Sequence, residues 1–145
     1  MTTAAPLRSY KTIATQTAPP GQLVLMLYEG AIRFLERAQA GFQHEDPLEF
    51  NTTINNNVIR AQEILNELNN SLDLHQGGAL AATLRRLYGY INRQLTLSNT
   101  RKSPEGIHDS IERLSVLRDA WSEMLRQQNA AFDTPEYSNT FALNS

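Results

Sequence analysis

The sequence predicts an all-α fold, an antiparallel four-helix bundle, on three observations. Apolar residues recur at three- and four-residue spacings through four stretches, alternating β-branched runs bounded by turn residues are absent, and the breaks between the stretches are short. Neighbouring helices joined by short connections must run in opposite directions. At 145 residues the chain is the size of one domain and can bury a core without metal or disulfide. It has no cysteine, which fits a reducing compartment and excludes thiol chemistry.

The first helix is expected to begin after Thr17-Ala18-Pro19-Pro20-Gly21, because proline is tolerated only near a helix start, and to end near Gly41. At about 100° per residue, Val24, Tyr28, Ala31, Leu35, Ala38 and Phe42 share one stripe. Leu23, Met26, Leu27 and Phe34 widen that stripe on one side, and Leu25 and Ile32 on the other. The polar remainder, Gln22, Glu29, Arg33 and Glu36, is narrow. One buried face needs a stripe of only roughly 100° or somewhat more, so this helix either sits centrally in its own bundle or borders an apolar groove kept for another chain.

Asp46-Pro47 reads as a cap and first-turn proline for a second helix carrying Phe50, Ile54, Val58, Ala61, Leu65, Leu68 and Leu72. Within it, Asn51 to Asn57 is rich in modest helix formers. Gly77-Gly78 marks a break. A third helix is expected from about Ala79 to Thr100, with Leu80, Leu84, Leu87, Tyr88, Ile91 and Leu95 on one face. Ser103-Pro104-Glu105 opens the fourth, where Ile107, Ile111, Leu114, Leu117, Trp121, Met124 and Leu125 repeat the pattern.

The domain organisation expected is a flexible or capping N-terminal segment over 1–17, the bundle over 18–128 and a disordered tail over 129–145. In the first segment Leu7, Tyr10 and Ile13, spaced three apart, would make a short apolar face if helical, able to fold over part of a groove and shield it.

Composition excludes several functions. The net charge is −2 with both signs interspersed, so no basic stripe is available for a phosphate backbone, and nucleic acid is not an expected partner. No segment approaches the ~20 apolar residues needed to cross a bilayer, and the first residues lack a signal peptide's apolar run. The expectation is a soluble protein without membrane insertion. His44, His75 and His108 each lie near a connection rather than at zinc-helix spacing. Glu63 and Glu67 share a face, but the Glu-x-x-His of a carboxylate metal bundle is missing. No nucleophile elbow, phosphate loop or dinucleotide fingerprint occurs. The chain reads as no enzyme, with no catalytic residue, metal or cofactor. Among the aromatics, Tyr28 and Trp121 suit the core, while Phe34 and Tyr90 lie off the main stripes.

The residues also carry a resemblance. Tyr10, then Ala18-Pro19-Pro20-Gly21-Gln22-Leu23 running into Met26 to Leu35, then Arg60 to Leu68, Ser71-Leu72-Asp73, Gly77-Gly78 before Leu80-Ala81, Leu87-Tyr88-Gly89-Tyr90 and Leu117 to Trp121 follow one another as in the FliS family of flagellar export chaperones. The order and spacing across roughly residues 7–127 carry the match, no single piece being decisive. Gly89 departs from it, standing where the family usually has an acidic residue, and Asn55-Asn56-Asn57 is more polar than its counterpart.

The resemblance implies a cytoplasmic bundle that holds the apolar, helix-forming C-terminal segment of flagellin before secretion, by a mode similar to helix-in-groove recognition. It implies flagellin as partner, leaves the export gate and other flagellar regulators as open further partners, and implies no cofactor. The client-binding set expected for groove and cap is Leu7, Tyr10, Ile13, Leu23, Met26, Leu27, Phe34 and Tyr90. Two other readings stay open at this point: a structural bundle whose surplus apolar face makes a homodimer, and a carboxylate-bridged metal enzyme.

Overall fold

The structure, a computed structural model, describes residues 20–72 and 74–132. It contains α1 (Pro20–Gly41), α2 (Pro47–Asn70), α3 (Leu74–Arg101) and α4 (Glu105–Phe132), with no strand among the described residues. The all-α bundle expected from the spacing is the one observed. Leu7, Tyr10 and Ile13, the capping segment to which they belong and the tail beyond Phe132 lie outside the described residues.

Local chemistry accounts for most boundaries. Pro20 begins α1 where no backbone N–H is required. Asp46 caps α2 by accepting from the Glu49 backbone N–H at 3.2 Å, and Pro47 follows in the first turn. The Asn- and Thr-rich start of α2 is helical, and its side chains bond back to carbonyls one turn earlier: Asn51 Nδ2 donates to the Pro47 carbonyl, Thr52 Oγ1 to Leu48 and Asn57 Nδ2 to Thr53. Gly78, at φ 54° and ψ −127°, divides α3 into a leading turn and the long helix that the sequence placed from Ala79. The leading turn has no signal in the apolar spacing. At the other end of α3, Lys102 takes a positive φ of 50°, and the Ser103 N–H donates to the Ser98 carbonyl at 3.0 Å, closing the last turn. α4 continues past Asn129, where the apolar period fades, because Ala130 and Ala131 favour helix on propensity alone.

The helices form a ring: α1 and α3 each pack on α2 and α4 and face each other across the core. Tyr28, Ala31, Leu35 and Ala38 of α1 meet Ile54, Val58, Ala61, Leu65 and Leu68 of α2, with Tyr88, Ile91 and Leu95 of α3 and Ile107 and Leu114 of α4. The flanking Leu27 and Ile32 are buried as well, so part of the surplus apolar face of α1 is enclosed by its own bundle. Leu23, Val24, Leu25 and Met26, in the first turns, remain half-buried.

Burial is uneven along the bundle. At the end holding the α1–α2 and α3–α4 loops, Phe42 and Phe50 seal the connection edge to face with ring centroids 5.4 Å apart, and Ile107 and Ser110 are fully enclosed. Towards the opposite end, among the described residues, α4 has no fully buried residue after Leu114 and α1 has none before Leu27. The core is closed at one end and open at the other.

Two helical glycines distinguish these environments. A methyl group on Gly106 would meet Ser98 Oγ at 2.2 Å and the Gln94 carbonyl at 2.9 Å, so α4 touches the backbone of α3 there, whereas one on Gly89 would meet only the tip of Arg93 at 3.5 Å. Gly89→Ala is expected to raise stability by about 0.5–1 kcal/mol through helix propensity. Gly106→Ala is expected to lower it by about 1–3 kcal/mol through overpacking. Urea unfolding midpoints of the two variants, moving in opposite directions, check both.

Candidate functional site

At the open end an apolar cleft of about 220 Å³ opens between all four helices. Val24 and Tyr28 of α1, Leu68, Ser71 and Leu72 at the end of α2, and Trp121 of α4 form three of its walls. The start of α3 supplies the fourth, with Gly77, Leu80, Ala81, Leu84 and Tyr88. Leu80 is 68 % exposed, on a helix face that elsewhere points into the core. The Gly77-Gly78 break explains the rim. Gly78 occupies a backbone region that favours glycine, and a methyl on Gly77 would lie 2.6 Å from the Ala81 methyl, so larger residues would force the rim to rearrange.

Polar atoms in the cleft are few and placed. The Trp121 indole N–H donates to the Gly21 carbonyl at 2.8 Å, tying α4 to the first turn of α1. The Tyr28 and Tyr88 hydroxyls meet at 2.5 Å, a bond spanning the core between α1 and α3. Burial pushes both phenols above the ordinary tyrosine value of 10.0, because each loses the water that would solvate a phenolate.

The molecule's larger depression, about 580 Å³ between α2 and α3, is of another kind. Gln62 donates to the Asn92 carbonyl and to Thr96 Oγ1, and Asn92 Nδ2 donates to Asn66 Oδ1. Asn99 donates to Asn55 farther along the same seam. These bonds fasten two helices to each other beneath a shallow groove that mixes amide side chains with the exposed Leu97.

The sequence-derived client set is dispersed. Leu23 is half-buried against the core, Met26 is half-buried and Leu27 is enclosed at 2 % exposure. The Phe34 ring lies beneath two guanidinium groups, Arg37 at 5.4 Å and Arg60 at 5.8 Å. Tyr90 packs under Arg113 at 4.8 Å and accepts from Gln94 at 2.8 Å. None of these five lines the apolar cleft, although Val24 and Tyr28 bring the start of α1 to its wall. Leu72 and Leu84, assigned by spacing to core stripes, pack against the core and also line the cleft, whereas Leu80, assigned likewise, is exposed on its rim. The glycine pair between two apolar stripes was the signal that could have found them, since it sets the stripes' ends at the end of the bundle.

His44 lies 3.4 Å from Glu49, and His108 lies 3.1 Å from Glu112. Among the described residues no three His, Asp or Glu side chains gather as a metal site, and no described helix is long and apolar enough to cross a membrane.

The order of motifs along this four-helix frame matches that of a known family. The sequence model of the family "Flagellar protein FliS" matches residues 3–128. The chain belongs to the FliS family. It is 30 % identical over 123 residues to the flagellar secretion chaperone FliS of Bacillus subtilis (strain 168), covering 85 % of this chain and 88 % of that one. Similarity to FliS of Salmonella typhimurium (strain LT2) is 30 % over 128 residues, covering 86 % and 93 %. For FliS of Campylobacter jejuni it is 34 % over 112 residues, covering 77 % and 84 %. The match runs through all four helices that frame the cleft.

The phenol pair makes this chain's stability sensitive to alkali. Both folded-state pKa values lie above the unfolded value of 10.0, so the stabilisation from keeping the pair neutral is complete below that pH and is lost as pH rises above it. Unfolding midpoints measured from neutrality to about pH 11 should fall above about pH 10, and the Tyr28→Phe/Tyr88→Phe double variant should show a shallower fall.

Proposed function

We propose that this chain is a cytoplasmic export chaperone that holds the C-terminal segment of flagellin, keeps it from polymerising prematurely and assists flagellar secretion, without catalytic activity. The observation that carries the reading is the apolar cleft at the open end of a FliS-family bundle, with Leu80 left on its rim. An amphipathic helix lays its apolar face into such a groove, with anchors three and four residues apart.

Magnitudes support a client that covers more than the cleft. Each large side chain fully buried contributes roughly 1.5–3 kcal/mol, whereas ordering a disordered segment costs about 2–5 kcal/mol or more. A handful of anchors suffices where two do not. The half-buried Leu23 and Met26, in the turns of α1 leading to the cleft, extend the surface along the bundle. In this reading Leu7, Tyr10 and Ile13 shield that surface until the client arrives. A client of about 40 residues would run about 60 Å as a helix, longer than any helix of this chain.

Titration with flagellin and with flagellin lacking its last ~40 residues tests the proposal: the full client binds one to one, and the truncated one does not. Equal binding of both refutes it, and a tight dimer that flagellin leaves unchanged in sedimentation favours the homodimer reading. Leu80→Asp should weaken client binding by about tenfold or more, since it buries a charge against the client. Because Leu80 is exposed, the same change should leave the unfolding midpoint within about 0.5 kcal/mol of its original stability.

A further inference from the structure

The hydroxyl pair in the cleft has one hydrogen more than its mutual bond can use. Tyr28 and Tyr88 are each only 2 % exposed, their oxygens lie 2.5 Å apart, and both line the cleft. Each phenol carries one O–H donor. When one donates to the other, the second hydrogen must find another acceptor, and among the described residues neither hydroxyl has one. Of the other lining side chains only the Ser71 hydroxyl can accept, and it makes no bond to either phenol, donating to the Leu68 carbonyl at 2.7 Å; the rest are aliphatic or, for Trp121, only donate. Ser71 apart, the geometry therefore presents a hydrogen-bond donor at an apolar site.

We infer that the Tyr28–Tyr88 pair is the specificity element of the cleft: its uncommitted O–H receives a neutral oxygen acceptor, an amide or hydroxyl side chain, carried on the same face of the client helix as the apolar anchors. The inference rests on the proposed client reading and adds to it the chemistry that the client must display. Within a helix the backbone carbonyls are already bonded, so the acceptor belongs to a side chain. A carboxylate is disfavoured because its charge would enter an apolar site. An apolar cavity of about 150 Å³ accepts a benzene ring, so the cleft of about 220 Å³ has room for one large anchor together with one small polar group. While the cleft is open, water can serve the donor. A client covering the cleft without an acceptor strands it, which makes the pair a filter against wholly apolar helices as well as a contact for the correct one.

The experiment is a double-mutant cycle by calorimetric titration of the full chain. A synthetic peptide of the last ~40 residues of the same bacterium's flagellin is compared with single alanine replacements at each of its Asn, Gln, Ser and Thr positions. Against the unaltered chain one replacement should weaken binding by about tenfold, and against the Tyr28→Phe/Tyr88→Phe variant that replacement should have almost no effect. If the unaltered peptide binds but no position couples to the tyrosines, the inference is overturned while the client reading stands. If the unaltered chain does not bind the peptide at all, the client reading fails and the inference with it. Should the double variant not fold, the ring Cζ signals of isotope-labelled tyrosine in the unaltered chain decide the matter. The Tyr28 or Tyr88 signal must move with the full peptide and move less with the acceptor-deleted one, and identical movement refutes the inference.

Discussion

The contact of α4 with the backbone of α3 at Gly106 is the constraint on which the shape of this bundle depends. With no side chain in the way, α4 reaches the Gln94 carbonyl and Ser98 of α3, while Ser110, one turn on, directs its hydroxyl to the Gly106 carbonyl at 2.7 Å. Small residues therefore set the helix spacing at the closed end. Rings set it at the other. Tyr28, Tyr88 and Trp121 carry polar tips that need partners when buried. Those tips turn towards each other and towards the Gly21 carbonyl, leaving space between Leu72 and Leu84 unfilled. The cleft results from packing one end with small groups and the other with large amphipathic ones.

That asymmetry also distributes stability along the molecule. Free energies of local opening rise with buried apolar contact, and the layers of Leu35, Ile54, Val58, Leu95 and Ile107 at the closed end are completely enclosed. The first turns of α1, the turns of α4 beyond Leu114 and the rim of α3 have fewer enclosed groups and are the part of the bundle that can adjust at least cost. Under the proposed function, a rigid half keeps the fold while an adaptable half meets the client, which a chaperone must hold and later release. Coupled ordering of the client moderates the affinity of an otherwise extensive apolar contact.

The α2–α3 seam has a separate part in this division. Its amide bonds, Asn55 with Asn99 and Gln62 and Asn66 with Asn92, recur along two antiparallel helices and can all form in only one register. Apolar stripes alone tolerate sliding by a turn; paired amides do not. Fixing that register holds Leu72 and Leu84 on opposite walls of the same cleft.

The four helices, their order and most of the core were legible in the sequence, because the three- and four-residue spacing that marks a buried stripe acts within each helix and needs no knowledge of the others. The Asp46 cap and the Gly77-Gly78 break were legible for the same reason. Surplus apolar surface on α1 was legible as an amount, not as a place: Leu27 and Ile32 went into the core, Phe34 under two arginines, and Leu23 to Met26 remained partly open. Which residues line the cleft was decided only by the tertiary structure. Leu72, Leu80 and Leu84 obey the core period as well as any enclosed leucine, and whether a stripe's last turns are covered depends on where three other helices end. The meeting of Tyr28 with Tyr88, sixty positions apart in the chain, likewise has no local signal. Periodicity tells a residue which way to face, but only the assembled bundle determines what stands in front of it.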